Sequence, residues 1–147
     1  MSSIHASAVL IGAKAALIRG AAGAGKSQLA LALIEAARAG ALPFARLVAD
    51  DRALVEVQSG RLLVRPAPAL AGLMEVRGLG IRRLPYEPVA VVGLVVDLAA
   101  ADADRLPARE AAETAIEGVT LPRLTVAPGT PALPLVLAFL NTAPSRI

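Results

Sequence analysis

The sequence predicts a mixed α/β fold, and three features point to it. A glycine-rich run, Gly20–Ser27, stands between a short apolar segment and a stretch with helical periodicity. Two pairs of short apolar runs are joined by turn-forming residues, as in β-hairpins. Val89–Val96 is apolar at successive positions, the pattern of a central strand buried on both faces. Hairpins beside such a strand exclude a purely parallel sheet.

The elements follow in order. Ala8–Ile11 and Ala15–Arg19 flank Gly12-Ala13-Lys14 and form the first hairpin. After the glycine-rich turn, Lys26–Ala39 places Leu29, Leu33 and Ala36 at helical spacing, and Gly40 closes this helix because it tolerates positive φ. Phe44–Ala49 is apolar except for Arg46 and leads straight into Asp50-Asp51. Ala53–Val57 and Arg61–Arg65 flank Gln58-Ser59-Gly60, the second hairpin, and Pro66–Gly72 is irregular with one helical turn. Ala108–Glu117 is expected to be a short helix and Leu121–Val126 a strand. The last helix starts with Thr130 as N-cap and Pro131 in the first turn; Leu133, Val136, Leu137 and Leu140 give it one apolar face.

With 147 residues the chain fits one domain, 1–147, large enough to bury roughly 70% of the surface its unfolded form exposes. Hydrophobic residues make up 56% and aromatics 2%, so the core is expected to be aliphatic packing around Phe44, Tyr86 and Phe139. The absence of cysteine excludes disulfides, thiolate metal sites and cysteine nucleophiles. Met1–Ala8 lacks the basic-then-apolar pattern of a secretion signal. Val89–Val96 and Leu133–Leu140 are far shorter than the roughly 18 apolar residues of a membrane span. A cytoplasmic protein without membrane contact is expected. The net charge of +3 is carried mainly by scattered arginines, with Lys14 and Lys26 the only lysines. No aromatic platform accompanies them, which argues against nucleic acid; an acidic small molecule or an acidic patch on a partner protein suits this charge.

Gly20-Ala21-Ala22-Gly23-Ala24-Gly25-Lys26-Ser27 fits G-x-x-x-x-G-K-[ST] in full, with a strand before it and a helix after it. Glycines let successive N–H groups point inward without Cβ clashes, and the helix start adds its positive dipole end. This is a nucleoside triphosphate site: Lys26 reaches the β- and γ-phosphates, and the Ser27 hydroxyl is a ligand for Mg²⁺. Such a loop needs a carboxylate partner, and two apolar runs end in aspartate. Asp97, far downstream on the most buried strand, has the position of an ordinary Walker B residue. Asp50-Asp51 follows one helix and one strand after the loop. Neighbours on an extended segment point to opposite faces, so only one of this pair is expected to face the phosphates.

Taken in order, His5, Gly20–Ser27, Leu47-Val48-Ala49-Asp50-Asp51-Arg52 and Glu75-Val76-Arg77-Gly78-Leu79-Gly80-Ile81 resemble the catalytic domain of HPr kinase/phosphorylase from about His5 to Gly129. The acidic pair followed by E-V-R-G-L-G-I is the specific part; the glycine loop is shared by many folds. The resemblance implies a Mg²⁺- and ATP-dependent protein serine kinase. Its fold would be a mixed sheet with a phosphate loop, similar to the phosphoenolpyruvate carboxykinase-like nucleotide-binding core. Its substrate would be HPr, a phosphocarrier of a bacterial phosphotransferase system.

By the same resemblance Asp51 is the proton acceptor and Asp50 sits beside it, the two roles being interchangeable at this stage. Lys26 contacts the phosphates, Ser27 and Glu75 hold the metal, and Arg105 is the catalytic arginine offsetting developing charge. His5, fifteen residues before Gly20, has the family spacing of an active-site histidine. Arg77 and Gly78 belong to the loop near the acceptor serine. Long family members carry an extra N-terminal domain and form hexamers. This chain resembles a short form without that domain, which leaves its homo-oligomeric state open. Where members that reverse the reaction carry V-R-P-G-R, this chain has Val126-Ala127-Pro128-Gly129-Thr130, which argues against phosphorolysis. Two alternatives stand beside the kinase: a nucleotide-sensing module without catalysis, and a small-molecule kinase with Arg77, Arg82 and Arg83 over its acceptor.

Overall fold

The structure is a computed structural model that describes residues 1–145; the last two residues of the expected domain, 146 and 147, lie outside the described residues. In chain order the strands are β1 (Ser2–Ile4), β2 (Ala6–Ile11), β3 (Lys14–Arg19), β4 (Ala45–Ala49), β5 (Ala53–Gln58), β6 (Arg61–Pro66), β7 (Leu73–Val76), β8 (Gly80–Arg83), β9 (Ala90–Asp97), β10 (Glu113–Ile116) and β11 (Val119–Thr125). The helices are α1 (Lys26–Arg38) and α2 (Ala132–Asn141), with 3-10 turns at Pro68–Leu70 and Arg109–Ala112.

The main sheet is mixed, as expected. Its order is β1-β5-β6-β9-β3-β2-β4, with β11 pairing β9 and β10 pairing β11. β3, β9 and β11 run parallel to one another, while β2 is antiparallel to both β3 and β4. Two antiparallel steps restore direction, so β4 runs the same way as β3. The C-terminal ends of β3, β4, β9 and β11 therefore share one rim of the sheet, where open α/β sheets place their ligands.

Alternation along the central strands covers both faces. Ile18, Leu47 and Val96 join Leu33 of α1 and Val136 of α2 in one apolar cluster. Their neighbours Leu17, Val48 and Val95 point the other way and pack with Val55, Leu62, Ile116 and Leu121. α2 lies on the first face, where Leu133, Leu137 and Leu140 also pack. The expected aromatic centre is absent: Phe44, Tyr86 and Phe139 are 38%, 40% and 42% exposed. Small and β-branched aliphatics on two-sided strands fill the interior without them.

Both expected hairpins occur, as β2–β3 and β5–β6. Two expectations fail locally. Ala108–Glu117 is a 3-10 turn followed by β10, because Glu117 and Gly118 both take positive φ (50° and 78°) and close a two-residue hairpin onto β11. Pro131, not Thr130, occupies the cap position of α2; the Thr130 N–H is used in a turn to the Ala127 carbonyl, 3.1 Å away. The Glu75–Ile81 segment is also a hairpin, β7–β8, forming its own two-stranded sheet.

Candidate active site

β3 ends at Arg19 and the chain turns through Gly20–Gly25 into α1. Gly23 and Gly25 have φ of 83° and 100°, a region that side chains rarely enter, and Gly25 is the cap of α1. A Cβ on Gly20 would stand 3.0 Å from that of Ala24 and 3.2 Å from that of Leu98, so the loop is folded tightly against the end of β9. α1 starts with no side-chain cap and no acidic residue in its first turn. Its first N–H groups are thus left for a ligand or solvent, with the positive end of the helix dipole behind them.

Lys26 is buried, and its Nζ donates to the Gly20 carbonyl (2.8 Å) and the Ala21 carbonyl (3.3 Å). The ammonium therefore lies under the loop it belongs to, 3.6 Å from Asp51 Oδ1. Ser27 Oγ donates to Asp50 Oδ1 at 2.6 Å. Both aspartates thus address the glycine loop, which overturns the expectation that only one could. β4 ends at Ala49, and the Arg52 N–H bonds the Asp50 carbonyl at 2.7 Å across Asp51, whose φ is 62°. That is a γ-turn of the rare positive-φ kind, and it breaks strand alternation so that both carboxylates reach the glycine loop and the start of α1. Backbone strain of this sort costs on the order of 1–3 kcal/mol and collects at functional sites.

A residue that sequence reasoning missed holds the turn. Ser7, fully buried on β2, donates from Oγ to Asp50 Oδ1 (2.9 Å) and accepts from the Asp51 N–H (3.0 Å). The one signal was a lone hydroxyl within an apolar strand pattern. Ser7→Ala strips Asp50 of a donor and leaves the Asp51 N–H unpaired. Its stability in urea is expected to fall by about 1–3 kcal/mol.

The remaining candidates are less tightly engaged. Glu75 donates its main-chain N–H to Asp50 Oδ2 (3.4 Å), while the residue itself is exposed. Arg77 and Gly78 form the exposed turn between β7 and β8, with Gly78 at φ 88°. Ser27, Leu31, Met74, Glu75 and Arg77 line a groove of about 360 Å³ between α1 and this hairpin. His5 is exposed between Ile4, opposite Ala53, and Ala6, opposite Arg19, so it sits on the same rim as the loop and the acidic turn. Arg105 is exposed on the segment leaving β9, and no hydrogen bond or ion pair joins it to the other candidates.

Asp97 has a different occupation from that of a Walker B residue. Arg19 grips it through Nε–Oδ1 (2.7 Å) and Nη2–Oδ2 (2.8 Å), and Arg123 donates to Oδ2 at 2.5 Å. Arg123 also pairs with Asp102 (2.6 Å), so one chain of charges ties β3, β9, β11 and the segment after β9. Burial works to raise the Asp97 carboxyl, but the hydrogen bonds and charges of Arg19 and Arg123 outweigh it and hold the group below its ordinary 3.8. The native state thus binds this proton less readily than the unfolded chain. The stabilisation is complete above pH ~4 and is lost as pH falls through the depressed native value. Asp97→Asn is expected to lower stability by about 2–3 kcal/mol at pH 7 and to flatten the acid limb of the denaturation profile. The loss stays below that of a fully buried pair because Arg19 is 31% exposed and Arg123 keeps Asp102.

No group of three His, Asp or Glu side chains suited to holding a metal occurs among the described residues. Mg²⁺, however, takes one or two protein oxygens and completes its shell with phosphate and water. The Ser27 hydroxyl and Asp50 carboxylate, hard oxygen donors 2.6 Å apart at the mouth of the loop, fit that requirement.

Fold and rim together define a mixed α/β domain whose first helix is headed by a glycine loop, with lysine, serine and an acidic turn facing it. Residues 1–132 match the family model described as HPr Serine kinase C-terminal domain. The chain belongs to that family. It is 35% identical over 136 residues to the HPr kinase/phosphorylase of Limosilactobacillus reuteri, a match covering 84% of this chain and 40% of that protein. With the Levilactobacillus brevis HPr kinase/phosphorylase the identity is 41% over 80 residues, covering 54% and 24% of the two chains. The chain thus spans well under half the length of these relatives. The fold is also that of the Hpr(Ser) kinase/phosphatase from Coxiella burnetii, with a TM-score of 0.74, 24% identity and coverage of 96% of this chain and 89% of that one. No helix among the described residues is long and apolar enough to cross a membrane.

Proposed function

We propose that this chain is a Mg²⁺- and ATP-dependent serine kinase domain acting on an HPr-type phosphocarrier in the cytoplasm. The observation that carries the reading is the convergence at one rim of Lys26, 3.6 Å from Asp51, and Ser27, 2.6 Å from Asp50. Family membership supports the reaction type and the acceptor class.

In this reading the N–H groups of Gly20–Ser27 take the β- and γ-phosphates, and Lys26 exchanges its loop carbonyls for phosphate oxygens. Ser27 and Asp50 would hold Mg²⁺, which supplies charge neutralisation on those oxygens, and Glu75, tied to Asp50 through its main-chain N–H, is the further candidate ligand. Asp51, in the strained turn, takes the proton of the acceptor serine. The freed oxygen forms its bond to the γ-phosphorus as the bond to the β-phosphate oxygen breaks, and ADP leaves. Arg105 and His5 would approach the transferring group from the segment after β9 and from the rim, and Arg77 and Gly78 would flank the acceptor. The stretch Val126–Thr130 contains no arginine, which supports transfer in the kinase direction alone.

The test is phosphorylation of HPr from the same organism by purified protein with Mg²⁺ and ATP, with mass spectrometry locating the modified residue. Transfer to a single serine is the expected result. Tight ATP binding with no transfer would leave a nucleotide sensor in place of a kinase.

A further inference from the structure

The connection from β9 to the 3-10 turn at Arg109–Ala112 leaves from beside the glycine loop. Leu98 donates its N–H to the Arg19 carbonyl (2.9 Å), and its Cβ stands 3.2 Å from where a Cβ on Gly20 would lie. Ala99 turns the chain at φ 51°, and the Ala100 N–H bonds the Val126 carbonyl (2.9 Å). Beyond that anchor, residues 104–110 are all exposed. Arg105, in the middle of them, carries no hydrogen bond or ion pair among the described residues.

One side chain reaches this stretch from the sheet. Arg123 of β11 donates from Nη1 to Asp102 Oδ2 (2.6 Å) and from Nη2 to Asp102 Oδ1 (3.1 Å), a paired fork that fixes direction as well as distance. Its Nη1 also donates to the Ala111 carbonyl (3.2 Å), and its Nε to Asp97. Both ends of the exposed stretch, Asp102 and Ala111, are therefore held by one guanidinium. Through Asp97 that guanidinium is joined to Arg19, the residue that launches the glycine loop. A loop whose ends share one rigid cation samples fewer positions than one left free from Ala100 onward.

Resting on the proposed kinase reading, in which Arg105 approaches the transferring group, we infer that Asp102 is a positioning residue: pinned by Arg123, it holds the stretch that carries Arg105 at the rim of the glycine loop. Folding stability gives no comparable reason for the pin, since Asp102 is 54% exposed and ion pairs with an exposed partner contribute little. Placement does. A displacement of about an ångström in a group that meets the reacting atoms costs up to about 10²-fold in rate.

The experiment measures HPr phosphorylation at saturating Mg²⁺-ATP by wild type, Asp102→Ala, Arg105→Ala and the double variant. ATP affinity is taken by calorimetry, and limited trypsin digestion is read at Arg105 by mass spectrometry. Asp102→Ala is expected to lower kcat by about tenfold or more while ATP affinity stays within about twofold and the unfolding midpoint near wild type. Trypsin should cut after Arg105 severalfold faster in that variant, because the stretch opens locally. In the Arg105→Ala background the same substitution should cost nothing further, the non-additivity of a residue that acts through another. A general loosening of the fold would instead lower the rate in both backgrounds. An unchanged kcat or an unchanged cleavage rate in Asp102→Ala, or equal losses in the two backgrounds, would overturn the pin. Wild-type transfer by Arg105→Ala would also remove it, while leaving the kinase reading in place. Absence of transfer by the wild-type chain would remove that reading and this inference together.

Discussion

Lys26→Ala is expected to lower phosphoryl transfer by about 10³-fold, the scale on which removing one pre-positioned charge partner of a transition state acts. Lys26 is 6% exposed and its Nζ already lies within 3.6 Å of Asp51 and against two loop carbonyls. In the proposed reading this ammonium exchanges the two carbonyls for phosphate oxygens, which is why its loss should be costly to transfer and to ATP affinity together. The substitution also leaves the Gly20 and Ala21 carbonyls without their donor, so the companion variant Lys26→Met keeps the apolar stem and isolates the charge. Both should lose transfer, measured with labelled ATP and HPr. The unfolding midpoint of Lys26→Met should stay closer to wild type than that of Lys26→Ala. Arginine should not rescue: its planar fork cannot occupy a compact site shaped for a single point charge. Transfer at wild-type rate in Lys26→Met would show that the lysine serves only to hold the loop closed.

The parts of this molecule that were legible in the sequence are those whose signal is local. Gly12 and Gly60 mark hairpins through positive φ (64° and 76°), Gly40 ends α1 at φ 88°, and β9 announces itself by a run of aliphatics with no polar face. The glycine loop was legible for the same reason, since eight consecutive residues carry it. Ala108–Glu117 misled because Ala and Glu favour helix, yet Thr114-Ala115-Ile116 needed only the Glu117-Gly118 turn to pair with β11. Propensity lost to tertiary pairing there. What stayed hidden depends on partners distant in the chain. Arg19, Asp97 and Arg123 meet because three parallel strands end in register, with Arg19 opposite Asp97 and Thr125 opposite Asp97 on the other side. Ser7 reaches Asp50 only because β2 lies between β3 and β4. The γ-turn at Asp51 was hidden because aspartate tolerates positive φ without requiring it, and nothing flanking it demands a turn.

That turn also gives the acidic pair two different environments, and Asp51→Asn tests whether they carry two separate tasks. Asp50 is saturated: it accepts from Ser7, Ser27 and the Glu75 N–H, so it is poorly placed to take a proton as well. The Asp51 carboxylate has one ion pair among the described residues, to Lys26, and its side chain is 68% exposed. Asparagine keeps the shape, and it is among the residues that best tolerate a φ of 62°, so the fold should persist. It cannot take a proton. Transfer to HPr is expected to fall by about 10²–10⁴-fold, the range for losing a general base. ATP affinity should change by less than about threefold, because Lys26 and the N–H groups of the glycine loop, which would hold the phosphates, are untouched. Asp50→Asn should behave differently, weakening Mg²⁺ dependence and ATP affinity as well as rate, since it removes the charge that would hold the metal and sets an amide NH₂ against the Glu75 N–H. The split is read by running transfer kinetics and calorimetric ATP titrations on both variants across a Mg²⁺ series. If Asp51→Asn loses nucleotide binding while Asp50→Asn retains it and loses only turnover, the base is Asp50 and the assignment of the pair must be exchanged.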